Sequence, residues 1–259
     1  MPKPKSDYAI QTVQNALSLL ETFHDEVELG VSELSRRLDL HKNNVFRLLA
    51  TLEQDGYIEQ SDSTDRYRLG PRCLELGRSF ARGSCLLERA RPVLEALALE
   101  LGETAHLGVM HDFEVVHLDG EQPRQMVLAS SRIGRRLPVH TTALGKVLAG
   151  CADEDTRMDY DQQIVADGLK ASTESSITDR DKLFEHLRSV AVQGFALDLE
   201  ECEAGLCCAA APVFDESGRC VAAISVSGPA SRVTEDQLHG TIVPRVIDAA
   251  ERLSKQLGA

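Results

Sequence analysis

Apolar residues recur every three or four positions in three stretches of the first 55 residues, which predicts three amphipathic helices. The polar segment 24–28 separates the first stretch from the second, and Ser32 is placed to cap the second helix. Gly56 suits the left-handed position that ends the third helix. The three apolar stripes are Ile10, Val13, Leu17 and Leu20; Val31, Leu34 and Leu38; and Val45, Leu48 and Leu52.

Two short β-prone runs, 57–60 and 66–69, follow the helices and flank a Ser/Asp/Thr turn, so we expect a hairpin. Three helices and a hairpin, with a short gap between the second and third helices, predict a winged helix-turn-helix. The pattern by itself is equally compatible with an ordinary helical subdomain that carries surface arginines.

The third predicted helix carries polar side chains of the kind that DNA readout uses on the face opposite its apolar stripe. These are Lys42, Asn43, Asn44 and Arg47. On the predicted wing, Arg66 and Arg68 alternate with Tyr67, so both arginines are placed to face a phosphate backbone. Ser32 and Arg36 of the second helix complete the set of predicted DNA-binding residues.

Residues 71–101 keep approximately helical spacing, but Gly77, Gly83 and Pro92 interrupt it. We expect a connecting helix to about Gly83 and a separate helix that begins near Pro92, since proline suits a first helical turn. The predicted organisation is a winged helix-turn-helix domain over 1–70, a connecting helix over 71–90 and a second domain over 91–259.

From residue 104 onward, β-prone runs alternate with helical ones. Four runs predict strands, at 104–110, 114–118, 207–213 and 220–227, and the segments 142–150 and 181–190 predict helices. A hairpin turn at 215–218 joins the last two strands. The expected fold class is α+β, with helices packed on a six-stranded antiparallel sheet.

Composition narrows the class of protein. Among the 259 residues, 42% are hydrophobic and 27% are charged, which is typical of a globular chain. No apolar run approaches the ~18 residues that span a bilayer, and no secretory signal is evident. The seven irregularly spaced cysteines favour reduced thiols, and therefore a cytoplasmic location, over a disulfide framework.

The net charge of −13 argues against a protein that coats nucleic acid. Residues 1–80 account for only −3 of that charge, and residues 81–259 carry the remaining −10. This charge distribution is compatible with a protein that binds nucleic acid through one small patch and carries a separate acidic domain. The absence of Trp and an aromatic content of 4% argue against a surface on which the bases of single-stranded nucleic acid stack.

Several polar side chains fall within apolar stretches of the second domain. Ser225 and Ser227 are two positions apart on one strand and share a face, Cys208 lies on the neighbouring strand, and Asp198 precedes an acidic turn. Thr141-Thr142 begin a short helix whose free N–H groups favour an anion. This set predicts a site for a small polar metabolite that carries a carboxylate, with Asp198 for a hydroxyl or aldehyde group. The alternative is that these are small core residues.

Several motifs follow one another along nearly the whole chain. In the first domain they are VSELSRRL at 31–38, VFRLLATLEQDGYI at 45–58 and RYRLG at 66–70. In the second they are GETAHL at 102–107, LPVHTTALGK at 137–146, GFALDLEE at 194–201 and ISVSGP at 224–229. Together these motifs resemble those of the IclR family of bacterial transcriptional regulators. The start of the third helix, HKNN at 41–44, departs from the family's Pro-Lys-Ser-Thr-like pattern, so the resemblance does not carry over the operator sequence.

The resemblance implies a winged helix-turn-helix and a GAF-like effector domain that together form a ligand-responsive regulator without a cofactor, a metal or an enzymatic activity. It implies a dimer, or a dimer of dimers, that reads a pseudo-palindromic operator in double-stranded DNA. Nine positions match those with which family members bind small oxo-acids. They are Leu128, Ser131, Val139, Gly145, Asp198, Leu206, Cys208, Ser225 and Ser227.

Two other kinds of site fit the sequence less well. His106, His111, His117 and His140, together with the cysteines at 202, 207 and 208, lack the spacing of a structural zinc site. A thiol-dependent enzyme or a redox sensor built on Cys207 and Cys208 is the alternative function, although adjacent strand residues face opposite sides and bond each other poorly. The acidic residues at 153–155, 159 and 161 are expected to form a solvated helix face.

Overall fold

The computed structural model describes residues 8–24, 26–123 and 132–259, which form two compact units divided after Ser84. No helix in the described ranges is long and apolar enough to span a membrane.

The first unit is a winged helix-turn-helix, as predicted. Its three predicted helices bury Leu19, Leu34, Val45 and Leu49 in one core, with Ile58 of the wing against them. The two wing strands pair antiparallel, with Glu59 opposite Arg68. The elements are α1 (Gln11–Glu21), α2 (Val31–Leu38), α3 (Lys42–Gln54), β1 (Ile58–Gln60), β2 (Tyr67–Leu69) and α4 (Pro71–Gly83).

The predicted cap of helix α2 is wrong. Gly30 is the capping residue, and Ser32 is the second residue of the helix. The Glu33 carboxylate accepts a hydrogen bond of 2.9 Å from the Gly30 N–H, so an acidic side chain from the first turn reaches back in place of a serine hydroxyl. Gly56 takes a φ of +76° just after α3, as its position predicts.

The second unit is an α+β domain with one six-stranded, wholly antiparallel sheet of order β5-β4-β3-β8-β7-β6. Its strands are β3 (Thr104–His111), β4 (Glu114–Glu121), β5 (Arg136–Pro138), β6 (Ala196–Leu199), β7 (Leu206–Phe214) and β8 (Cys220–Pro229). Its helices are α5 (Cys85–Leu101), α6 (Ala143–Gly150), α7 (Glu154–Asp167), α8 (Arg180–Gln193), α9 (Glu235–Gln237) and α10 (Val243–Gln256), with a 3₁₀ turn at Val139–Thr141.

The sheet has two differently covered faces. Leu107 and Ile224 point to a face that packs against the apolar sides of α5 and α10. Ala210 and Ala223 point to the other face, where they meet Val147 of the short helix α6. Because strand side chains alternate between faces, every second residue of β6, β7, β8 and β3 is directed toward α6.

The helix predicted to begin near Pro92 begins at Cys85, whereas α4 ends at Gly83 as predicted. The break between the two helices lies at Ser84, whose backbone is extended. Proline's fixed φ is compatible with a helix, although its missing N–H leaves the preceding turn one hydrogen bond short. Val93, Leu94 and Leu97 are buried beside it, and this packing stabilises the helix through the proline.

Candidate functional site

Three polar side chains form a row on the α6-facing side of the sheet. Asp198 on β6 lies opposite Cys208 on β7, and Cys208 lies opposite Ser227 on β8. All three are buried, and the Cys208 and Ser227 side chains are cross-strand neighbours. Ser225, also buried, lies two residues away on the same face of β8. The structure therefore brings these four predicted site residues together.

The carboxyl group of Asp198 is 1% exposed and only half satisfied. Its Oδ1 accepts hydrogen bonds from the backbone N–H groups of Glu201 (2.8 Å) and Cys202 (3.2 Å). Its Oδ2 has no hydrogen-bond partner among the described residues. Burial raises the pKa of Asp198 to about 6, although the nearby Lys146 ammonium acts in the opposite direction. One oxygen of this carboxyl group is thus available to a ligand.

Helix α6 begins beside the polar row. The Thr142 hydroxyl accepts a hydrogen bond of 3.1 Å from the Gly145 N–H and thereby caps the helix. A Cβ on Gly145 would lie 2.3 Å from the carbonyl oxygen of Val139, so only glycine lets the helix approach the 3₁₀ turn this closely. The N–H groups of the first turn have no acceptor within the helix and favour a negatively charged group.

A buried ion pair fastens α6 to the loop that supports Asp198. The ammonium group of Lys146 is fully buried and contacts Oε1 of Glu201. The sequence interpretation did not identify this pair. Lys146 follows Gly145 in an otherwise apolar helix, and a lone lysine in such a stretch is the signal that could have identified it.

Three further polar groups on the same face were not assigned to the ligand site from the sequence. His106 on β3 and His117 on β4 are buried with their rings in edge contact, at a centroid distance of 5.4 Å. Burial lowers the pKa of His106 to about 3 and that of His117 to about 4, so both imidazoles are neutral near pH 7. The buried Arg132 donates to Glu203 at 2.8 Å and contacts the Cys202 thiol at 3.5 Å.

The remaining predicted ligand-site residues lie in different places. Val139 and Leu206 are buried, in the 3₁₀ turn and at the start of β7. Leu128 and Ser131 lie outside the described residues.

The thiols at 207 and 208 point to opposite faces of the sheet, because they are adjacent on β7. Burial raises the pKa of both thiols, which disfavours the reactive thiolate that a thiol enzyme or a peroxide sensor needs. Within the described ranges, no group of three or more His, Cys, Asp or Glu side chains is arranged to hold a metal ion.

Two of the acidic residues predicted to form a solvated helix face, Asp153 and Asp161, have local partners. Asp153 caps the helix by accepting a hydrogen bond of 2.8 Å from the Thr156 N–H. Asp161 forms an ion pair with Arg180.

In the first unit, the predicted DNA-facing residues of α3 are exposed. Lys42, Asn43, Asn44 and Arg47 lie opposite the buried Val45 stripe. Ser32 and Arg36 of α2 are exposed as well.

The two wing arginines already have partners within the domain. Arg66 donates to the Glu33 carboxylate at 2.7 Å and to the Glu28 carbonyl at 3.0 Å, and Arg68 pairs with Glu59 at 3.2 Å. Both wing arginines remain about half exposed, so a phosphate would compete with these carboxylates.

A winged helix-turn-helix followed by an antiparallel-sheet domain with a buried polar site defines a DNA-binding regulator that carries a sensor domain. Two family models match this chain: "IclR helix-turn-helix domain" over residues 12–62 and "Bacterial transcriptional regulator IclR C-terminal" over residues 79–255. The chain belongs to the IclR family. It is a transcriptional regulator with an effector-binding C-terminal domain, not an enzyme.

Relatives align over nearly the full length of the chain. The HTH-type transcriptional regulator XynR of Escherichia coli K12 is 34% identical over 252 residues, which cover 96% of this chain and 98% of XynR. The regulator KdgR of the same organism is 34% identical over 254 residues, covering 98% of this chain and 95% of KdgR.

Solved structures of the family share the fold. An IclR transcriptional regulator from Alicyclobacillus acidocaldarius superposes with a TM-score of 0.84 at 25% identity, covering 97% of this chain and 98% of the other. An IclR homolog from Microbacterium hydrocarbonoxydans, solved in complex with 4-hydroxybenzoate, gives a TM-score of 0.79 at 25% identity, covering 95% of this chain and 98% of the other.

Proposed function

We propose that this regulator binds a small metabolite with a carboxylate group between helix α6 and the polar row of its sheet, and that binding changes its affinity for operator DNA. The observation that carries the proposal is Oδ2 of Asp198, a buried carboxyl oxygen that has no hydrogen-bond partner in the described part of the chain and lies on the α6-facing side of the sheet. Buried polar groups in native proteins are nearly always hydrogen-bonded. An unpaired buried oxygen therefore indicates a position at which a ligand binds.

Each end of the site suits a different chemical group. The ligand carboxylate lies toward the first turn of α6, where the backbone N–H groups and the helix dipole favour negative charge. A hydroxyl or carbonyl group of the ligand lies toward Asp198. With a pKa of about 6, Asp198 accepts a hydrogen bond when ionised and donates one when protonated.

Small side chains complete the lining. Cys208, Ser225 and Ser227 have short side chains, and the two serines add hydroxyl groups for orientation. Val139 and Leu206 supply apolar contacts, and Gly145 lets helix α6 approach the 3₁₀ turn at Val139–Thr141. The IclR homolog solved with 4-hydroxybenzoate, itself a hydroxylated carboxylic acid, supports this class of ligand.

On the DNA side, α3 is the recognition helix. Arg47 and Asn44 read base edges from its exposed face, and Lys42 and Asn43 contact bases or phosphate near its start. Ser32 and Arg36 of α2, with Arg66 and Arg68 of the wing, hold the phosphate backbone. The regulator acts as a dimer or a dimer of dimers on a pseudo-palindromic operator, because two recognition helices then read two half-sites.

The test combines binding of DNA and of ligand in one experiment. The full chain selects a duplex from a random pool, and the affinity for this duplex is then measured by fluorescence anisotropy with and without each acid of a metabolite panel. We expect at least one carboxylic acid to change the affinity for DNA, and Asp198→Asn to weaken the response about tenfold, or ~1.4 kcal/mol. A wild-type response in Asp198→Asn would contradict the proposed site.

A further inference from the structure

A second cleft of the C-terminal unit lies at the end of helix α6, and two cysteines line it. Cys151 directly follows the helix, and Cys220 is the first residue of strand β8. The cleft has a volume of about 480 Å³, and both cysteines are partly exposed. Gly145 lies six residues before Cys151, or about 9 Å along the helix, and Ser225 lies five residues after Cys220, or about 16 Å along the strand. This cleft is therefore separate from the proposed ligand site.

The thiols of Cys151 and Cys220 lie side by side in this cleft and affect each other's ionisation. The interaction with the Cys220 thiol lowers the pKa of Cys151, and the Arg157 guanidinium adds to this effect, whereas burial opposes it. The same interaction, together with burial, raises the pKa of Cys220. Cys151 is therefore the member of the pair that ionises, and Cys220 keeps its proton.

Other thiols of the chain lack this activation. Reactive cysteines are accessible, have a lowered pKa and often lie beside a second cysteine. Burial instead raises the pKa of four thiols, those of Cys73, Cys202, Cys207 and Cys208. Cys151 thus differs from these four in the property on which thiol reactivity most depends.

Charged side chains of neighbouring elements border the pair. Arg157 of α7 and Arg219 of the cleft wall both interact with the Asp153 carboxylate, which also lines the cleft. Arg157 pairs with Glu154 at 3.4 Å, which is longer than a close charge-assisted hydrogen bond. Glu154 therefore neutralises the guanidinium only in part, and Arg157 stabilises a thiolate at Cys151.

We propose that Cys151 and Cys220 form a peroxide-reactive dithiol that closes to a disulfide across this cleft. Each cysteine lies at the end of an element, one after the last turn of α6 and the other after the hairpin turn at 215–218. A bond between them therefore requires only local movement of the backbone. The site uses neither the polar row nor the recognition helix, so it is independent of the proposed function.

The reaction consumes one hydroperoxide and oxidises the two thiols by two electrons. The Cys151 thiolate attacks one peroxide oxygen. An S–O bond forms, the O–O bond breaks, and the leaving oxygen takes a proton and departs as water or an alcohol. The Cys220 sulfur then attacks the sulfenic acid at Cys151. An S–S bond forms, the S–O bond breaks, and the hydroxyl group leaves as water with the proton of Cys220.

The experiment maps the thiols of the full chain after treatment with hydrogen peroxide. Reduced protein is mixed with increasing ratios of peroxide, the remaining thiols are alkylated, and the peptides are identified by mass spectrometry without reduction. We expect a peptide that joins Cys151 to Cys220 and is lighter than the two reduced peptides together by two hydrogen atoms. It should form at least about tenfold faster than the exposed Cys85 is oxidised.

Three variants assign the role of each thiol. Cys220→Ser removes the second thiol, so a sulfenic acid should accumulate at Cys151 and react with dimedone. Cys151→Ser should leave Cys220 reduced at the same ratio of peroxide. Cys85→Ser removes an exposed cysteine and should leave the disulfide unchanged, which makes it the matched control. Thermal melts of the reduced proteins establish that each variant is folded.

The thiol map of the wild type decides the proposal even when a variant fails to fold. A disulfide between Cys151 and Cys220 of one chain, formed before other thiols are oxidised, supports it. Reduced thiols at both positions after Cys85 is oxidised overturn it, as does a disulfide that joins only separate chains on non-reducing electrophoresis. Equal dimedone labelling of Cys220 in Cys151→Ser and of Cys151 in Cys220→Ser would overturn the assigned order of attack.

Discussion

The backbone N–H of Glu201 donates a 2.8 Å hydrogen bond to Oδ1 of Asp198, while the side chain of the same glutamate holds Lys146 of helix α6. One residue therefore connects the carboxyl group at one end of the site with the helix that begins at the other. A ligand between α6 and the sheet would act on both connections, which offers a physical path from binding to conformational change.

Removal of the Lys146 ammonium should strongly destabilise the second unit. Lys146→Met leaves the Glu201 carboxylate buried without its partner, and breaking a buried pair in this way costs about 3–5 kcal/mol. Urea unfolding of the full chain measures the change. Lys146→Met/Glu201→Gln should recover much of the loss, because position 201 then carries no uncompensated charge. Equal stability of the single and double variants would show that the ion pair is not the cause.

The stability of the wild type relative to Asp198→Asn should decrease as pH rises. Because the folded-state pKa of Asp198, about 6, exceeds the ordinary aspartate value of 3.8, the folded state binds more protons between these values. The free-energy cost of burying the ionised Asp198 carboxylate is absent below pH 3.8 and fully present above pH 6. Its upper limit is about 3 kcal/mol. Urea midpoints of the two proteins between pH 4.5 and 7.5 measure the difference.

Asp215→Asn is the matched control for this pH dependence. Hydrogen bonds from Ser217 and Arg219 hold the pKa of Asp215 at about 2, so its titration lies below the measured range. The difference between wild type and Asp215→Asn should stay constant over that range. If the difference in urea midpoint between wild type and Asp198→Asn were also constant with pH, the pKa of Asp198 would be the same in the folded and unfolded states, which would contradict the prediction.

Gly145→Ala should destabilise the chain and reduce ligand binding. The new methyl would lie 2.3 Å from the Val139 carbonyl oxygen, so α6 must move away from the 3₁₀ turn, at a cost of about 1–3 kcal/mol. Gly240→Ala, where nothing lies within 4 Å of the new Cβ, should be neutral or stabilising by up to ~1 kcal/mol. Thermal melts compare the two variants, and equal melting temperatures would contradict the close approach.

Arg47→Ala should weaken binding to the selected DNA duplex by about 1–3 kcal/mol without a change in melting temperature or ligand affinity. Arg47 is exposed on α3, opposite the buried Val45 and Leu48. Arg78→Ala removes an exposed arginine from α4 and should leave DNA affinity unchanged. Anisotropy titrations at one salt concentration measure both, and unchanged affinity in Arg47→Ala would exclude the assigned recognition face.

The sequence by itself determined the elements whose signals are local. The apolar stripes of α2 and α3 repeat at helical spacing, and the wing strands flank a polar turn. The stripe of α1 predicted the helix but not its buried face, because Val13 and Leu17 are exposed and Leu19 is buried. Strand periodicity also placed Ser225 and Ser227 on one face and separated Cys207 from Cys208. These features depend on backbone geometry that repeats over a few residues, so a one-dimensional pattern contains them.

The tertiary structure alone decided the features that depend on distant residues. Lys146 and Glu201 are 55 positions apart, and nothing local indicates that each neutralises the other. The sequence left His106 and His117 without an assigned role, and their position on the α6-facing side follows only from the order of the strands. The helix through Pro92 had the same origin, because buried packing outweighed the local preference of proline for a first helical turn.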